Sequence, residues 1–345
     1  MVDRTTLAAV SDGDQLSQGY FNAVVNESFT LSCNALLNLK IDGTLDIEDA
    51  NNIVLPCNTE TSWNDTSSIG IFDAANATFI AGGNIYDNID DSSINAVLWT
   101  TVTTGSGNVF EDTDKITIES DATSTQPGAL RSNGSSGLFV DSGSLFVLMD
   151  MAFPAVTTNS GDKATIRVKG DGGTVDVFVD NVNTNQARKG WLLKIDADTD
   201  LANVWEHTDA NTWTNVASDI DVSGAGANMY FEIEADTTVS ARVCRILLYK
   251  VCQYTTDADS ILLSDAQTIV TGKTLGFHYY RHYKNGSTDP TSRLSYNNGS
   301  NFTTTTQNEF VDGITTGTQL ISEITIKTNN NETPDELGGV VVITK

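Results

Sequence analysis

From about residue 39 onward the chain alternates apolar and polar positions with a period of two, the pattern of half-buried strands. Residues 39–47 read as two short strands about a Gly43 turn, and 68–72 with 77–80 read as a hairpin over 73–76. Strand patterns then arrive steadily at 115–119, 137–140, 144–151, 164–169, 175–179, 191–195, 203–207, 212–216, 230–234 and 243–249, parted by turns rich in Gly, Asp and Asn. Short strands with no helical period between them predict two packed antiparallel sheets. A further set follows at 275–280, 292–296, 323–327 and 340–343. One stretch departs from this rhythm. Leu16, Tyr20, Phe21, Val24 and Val25 recur every three to four residues behind the capping run 12–17, which predicts a helix over 17–27 that can run on towards Leu37. The expected fold class is therefore all-β, with antiparallel β-sandwich or jelly-roll domains in series and a short N-terminal helical segment. Three units are expected: 1–82 for attachment and oligomerisation, 83–253 as a jelly roll, and 254–345 as a smaller β-sandwich.

Composition narrows the partners. Nineteen Lys and Arg stand against 45 Asp and Glu, a formal charge of −26. A nucleic-acid binder gains affinity by neutralising phosphates with cations, so nucleic acid is excluded as an expected partner, and anionic membrane surfaces are disfavoured for the same reason. No run approaches the 18 or so apolar residues of a membrane helix, so no membrane insertion is expected. The first ten residues place acid before base and hold no apolar core, so they are not expected to act as a secretory signal.

Cys244 and Cys252 sit on one apparent strand, about 3.3 Å per residue, too far apart to bond each other. Cys33 and Cys57 can pair or stay as buried free thiols, and the second reading is preferred. His278 and His282 have the spacing of a helical metal pair, but on a strand that spacing is about 13 Å, so surface or interface histidines are expected. The most ligand-like spot is the hairpin 205–213. Trp205 and Trp213 stand on its arms with His207, Asp209 and Asn211 near its tip, and indole faces beside carboxylates and amides suit sugar rings. The alternative is that both indoles cover the sheet.

The run 84–100 resembles the opening of concanavalin A-like (laminin-G-like) jelly rolls: Asp87, Asp90, Ser93-Ile94 and Leu98-Trp99-Thr100 match it, and 107–111 with 115–118 resemble the first hairpin of that family. The resemblance implies sugar-binding modules or glycoside hydrolases as relatives. It offers Asp87, Asp90 and Asp91 as calcium ligands, although the last strand, 245–249, lacks the further Asp such sites commonly use. Calcium is the one cofactor it suggests. Hydrolases of the fold carry Glu-x-Asp-x-Glu on a strand. The nearest match is Glu232-Ile-Glu-Ala-Asp236, in another order and near the end of the unit, and it reads as a solvated face. The chain is therefore expected not to be an enzyme. The run 12–23 is similar to the start of tailed-virus fibre and spike proteins, and 294–303, 316–320 and 324–327 resemble virion β-modules. Together these imply a virion structural protein, a fibre, spike or capsid appendage on the particle surface. It would be a homo-oligomer, most readily a trimer, contacting other virion proteins and a cell-surface glycan. A glycan-active hydrolase on the same jelly roll, and a cell-surface adhesin, are the alternatives.

Overall fold

The computed structural model describes residues 31, 33–38, 40, 52–58, 60–64, 67–103, 107–121, 126–133, 142–154, 161–181, 186–238, 243–283, 289–329 and 333–345. The expected helix at 17–27 and strand at 137–140 lie outside these residues, as does the expected hairpin at 39–47 apart from residue 40, which is helical. The fold class is as expected: the described residues form antiparallel sheets, with helical residues at 31, 33–38 and 40 and a 3-10 turn at Ser223–Ala225.

Residues 84–254 supply a two-layered sandwich. Its five-stranded sheet runs Thr174–Asn181, Asp162–Lys169, Tyr230–Thr237, Gly128–Ser132, Trp99–Thr103. Its eight-stranded sheet runs Thr212–Asp221, Leu201–Asp209, Gln186–Asp196, Ser144–Phe153, Arg245–Tyr254, Lys115–Glu119, Asn108–Asp112, with Asn84–Asp87 also paired to Arg245–Tyr254. Inward side chains alternate along each strand, so that Leu145, Val147, Met149, Met151 and Phe153 meet Ile166, Val168, Phe231 and Ile233 in one core.

The strand Ser144–Phe153 is apolar almost throughout because both its faces are covered. Phe146 and Leu148 point away from that core and pack with Leu192, Cys252 and Tyr254 against Ile71 and Ile80 of a second body. Gly190 makes room for this approach, since a Cβ there would stand 2.9 Å from the Ile80 Cδ1. Contact between the two bodies thus comes from apolar residues on the outer face of the larger sheet, where a lone sandwich would be polar.

The second body joins residues 52–81 to the C-terminal strands. Glu336–Thr344 pairs with Gly276–Tyr283 on one side and with Asn52–Pro56 and Thr78–Ala81 on the other. The expected boundary at 82 therefore separates strands that are hydrogen-bonded together: 52–81 completes the C-terminal sheet rather than standing apart. Its alternation is clean. Ile53, Leu55, Phe72, Phe79, Val340 and Val342 face the sheet built on Gln319–Lys327, Asp259–Leu263 and Thr291–Ser295. Val54, Phe277, Tyr279 and Val341 face Cys33 and Leu37 of the helix, which are spaced i, i+4 on its buried side.

All four cysteines are free and buried, so no Cys33–Cys57 bridge is formed. Burial pushes the Cys33 thiol up to about 11 and that of Cys244 to about 12. Because the thiolate is the reactive form, an aromatic disulfide reagent is expected to leave the native protein unlabelled and to titrate four thiols after denaturation. Prompt labelling of the native protein would contradict the burial.

Candidate functional site

The hairpin expected to hold sugar is instead a clasp between the two bodies. His207 is fully buried, its Nδ1 2.7 Å from Asp73 Oδ2 and its Nε2 3.1 Å from Glu336 Oε1. Glu336 also accepts from the Trp213 Nε1 at 2.8 Å and from the Asn211 backbone N–H at 2.9 Å. Trp213 lies against the His207 ring, and Trp205 packs beside it on the Ile71–Ile80 cluster. The faces of Trp205 and Trp213 are thereby committed to the seam, which leaves Asp209 and Asn211 exposed at the tip. Burial works against a charged imidazole, yet the bonds and charges of Asp73 and Glu336 outweigh it and lift His207 to about 9.

Asp87, Asp90 and Asp91 order their own loop. Asp87 accepts from the Trp99 indole and, at 3.1 Å, from the Ile89 N–H; Asp91 accepts from the Ser93 N–H at 3.0 Å; Asp90 accepts from Asn88 at 3.1 Å. No group of three or more His, Cys, Asp or Glu among the described residues is placed to hold a metal ion. Burial, followed by the charges of Asp87 and Asp91, raises the neighbouring Glu111 to about 7. A carboxyl whose folded value lies above its unfolded one favours folding most below about 4.5, and that contribution is lost as pH rises through about 7. Glu111→Gln is therefore expected to gain stability relative to wild type between pH 5 and pH 8, read from denaturant midpoints. An unchanged difference between the two pH values would contradict this.

At the seam, Asp150 is buried and clamped by Arg188, whose Nε lies 2.9 Å and Nη2 2.6 Å from Asp150 Oδ2; the same Nη2 reaches Glu60 at 2.6 Å. Arg188 also stacks over Tyr249 at 4.2 Å. These groups and Lys250 line a cavity of about 140 Å³, too small for a sugar chain.

The carboxylates Glu232 and Glu234 do not form the solvated face expected of them, while Asp236 is half-buried. Tyr230–Thr237 is the middle strand of the five-stranded sheet, not a peripheral one. Arg131, Glu232 and Arg167 stand in register across three strands, with Arg131 Nη2 2.6 Å from Glu232 Oε2, and Arg167 also holds Glu234. Glu232 and Glu234 are 4% and 9% exposed, beneath their arginines. Burial raises Glu234 although Arg167 draws it back.

A site with room for a ligand is on the second body. Tyr279, Arg281 and Tyr283 alternate along Gly276–Tyr283 and, with Asn34 and Asn38 of the helix and Gln307 and Asn308 of a facing loop, line an open cleft of about 650 Å³. Tyr279 donates to the Asn34 Oδ1 at 2.6 Å. Arg281 donates to the same oxygen at 3.1 Å, to the Asn34 carbonyl at 3.2 Å and to the Asn38 Oδ1 at 2.7 Å. Gln307 donates to the Tyr280 carbonyl at 2.6 Å, while the buried Asn308 Oδ1 has no hydrogen-bond partner. Gly338 allows the stripe to lie flat, because a Cβ there would stand 2.8 Å from Arg281 Cδ and 3.1 Å from the Tyr283 ring. The histidines differ from expectation. His278 is fully buried, bonded to Thr305 at 2.9 Å and Ser322 at 3.0 Å, and burial pushes it down to about 3, whereas His282 is half-buried against Asp335 at 2.8 Å.

No protein-family model matches the chain, and no curated protein matches it. Solved structures do. An alginate lyase of polysaccharide lyase family 7 is 10% identical, with a TM-score of 0.33, over 46% of this chain and 94% of its own. A glycoside hydrolase family 16 endo-glucanase from Bacteroides ovatus is 11% identical, with a TM-score of 0.34, over 49% and 98%. The lectin UEA-II, complexed with galactose, is 9% identical, with a TM-score of 0.34, over 48% and 96%. The expectation that the chain is not an enzyme is corrected by this finding: two of these three similar chains are a lyase and an endo-glucanase.

Proposed function

We propose that the protein recognises carbohydrate, and that the Tyr279–Arg281–Tyr283 cleft is where it does so. The carrying observation is the cleft itself: the half-buried Tyr283 ring, amide groups and a guanidinium line an open volume within the usual range for ligand sites. Tyrosine rings suit the C–H faces of sugars, and the amides and Arg281 suit their oxygens. A second reading, a glycan-active enzyme, is favoured by the carboxylate row on the middle strand of the five-stranded sheet, where Glu234 is raised by burial. The setting belongs to the same proposal. A virion appendage, assembled as a homo-oligomer and using weak sites summed by avidity, is supported by the resemblances at 12–23 and 294–303.

Isothermal titration against a panel of neutral and acidic oligosaccharides tests the first reading. Tyr283→Ala is expected to weaken binding of any ligand found by about tenfold, a loss of about 1–2 kcal/mol for one stacked ring. Unaltered binding would place the ligand elsewhere. Depolymerisation of the same glycans by wild type, lost in Glu234→Gln, would favour the second reading.

A further inference from the structure

The cleft carries a charge preference. Five of the six described arginines sit in ion pairs: Arg131 with Glu232, Arg167 with Asp176 and Glu234, Arg188 with Asp150 and Glu60, Arg245 with Glu119, and Arg293 with Glu323. That is what a chain of charge −26 would lead one to expect, because carboxylates outnumber cations more than twofold. Arg281 is the exception. Its three hydrogen bonds go to the side-chain and backbone oxygens of Asn34 and to Asn38, all of them neutral, and no carboxylate among the described residues pairs with it. The neighbouring imidazole, His282, is taken by Asp335.

These bonds engage Nε and both hydrogens of Nη2, so the guanidinium is held in place by amides, with no carboxylate among the described residues paired to it and Nη1 without a described hydrogen bond. Asn34 and Asn38 stand one helical turn apart, the spacing needed to grip one side chain. A guanidinium fixed in this way leaves Nη1 to donate, and a carboxylate suits that donor better than a neutral hydroxyl, since a charge-assisted bond is roughly twice as strong as a neutral one. Placed beside the half-buried Tyr283, it would meet an acidic group attached to a ring that stacks on that tyrosine.

We propose that the cleft selects a saccharide bearing a carboxylate, a uronic acid residue, with Arg281 as its anion partner. This rests on the carbohydrate reading of the same cleft and adds the chemical class of the sugar.

The test is isothermal titration of the full chain with short oligogalacturonates and oligoglucuronates, each compared with its carboxyl-reduced neutral product and with a sulfated neutral oligosaccharide. Wild type is expected to prefer an acidic form by about tenfold or more over its neutral product, from one charged hydrogen-bonded contact. Arg281→Gln is expected to abolish the ratio, weakening the acidic form by about tenfold more than its neutral product. Asn38→Asp keeps the arginine but supplies it with a carboxylate from an exposed helix position, and it is expected to abolish the ratio as well. Equal affinity of wild type for acidic and neutral forms, or a ratio that survives both substitutions, would overturn the charge preference and leave the carbohydrate reading standing. Tighter binding of the sulfated sugar would overturn the carboxylate. Absence of binding to every sugar would remove the carbohydrate reading and this inference with it.

Discussion

Replacing His207 with leucine is expected to lower the thermal unfolding midpoint at pH 7 by on the order of 10 °C. The imidazole stands between Asp73 and Glu336, and all three side chains are fully buried. Removing one partner of a buried ion pair strands an uncompensated charge and costs about 3–5 kcal/mol, and here two carboxylates lose their cation. At about 2–4 °C per kcal/mol for domains of this size, the shift is easily measured. Its pH dependence has a definite sign. His207 rises from 6.5 to about 9 on folding, so its contribution is present in full below about 6.5 and disappears as pH climbs through about 9. Asp73 is held below its ordinary value, because His207 and its hydrogen bonds outweigh burial, so its share is lost as pH falls through that lowered value. Wild type should therefore lose midpoint between pH 7 and pH 10, and His207→Leu should lose much less over the same interval. Equal midpoints for the two proteins at pH 7 would mean that the clasp contributes nothing to holding the bodies together.

The second large effect is expected at Arg188. Arg188→Met leaves Asp150 buried at 1% exposure without its counter-charge, a loss of about 3–5 kcal/mol at pH 8. In wild type, burial has already raised Asp150 to about 6, with Arg188 pulling it back. Without the guanidinium the carboxyl is expected to titrate higher still and to enter the folded state protonated. Its folded value then lies further above its unfolded one, so stability recovers at pH 5 and falls steeply as pH rises, which urea midpoints at the two pH values would show. Adding Asp150→Asn to Arg188→Met should restore much of the loss at pH 8, because the stranded charge is gone. A double variant no more stable than the single one would contradict the ion-pair account.

Both of these sites join residues that the sequence holds far apart, and this marks what could be read in advance. The strand patterns at 70–81, 144–153 and 230–237 are local, and the sheets were legible from them. So was the burial of Trp99 and Trp191, which sit among apolar neighbours. Which strands pair was not legible. Asp73 looks like a turn residue, and its partner His207 lies 134 positions away. Trp205 and Trp213 carry the composition of a sugar site, but the same indoles serve equally well to seal one sheet against another, and only the position of Ile71 and Ile80 decides between the two. The carboxylates 232–236 looked solvated because their arginines, 131 and 167, come from other strands. The tyrosine cleft did leave a trace. Tyr279, Arg281 and Tyr283 alternate within one strand, but their role depends on Asn34 and Asn38, more than 240 residues earlier.

Determining a crystal structure of the protein soaked with a short oligogalacturonate would examine the proposed site most directly. A sugar ring lying against Tyr283, with its carboxylate on Arg281, is the predicted result. A saccharide seated over Glu232 and Glu234 on the five-stranded sheet, with the tyrosine cleft empty, would contradict it.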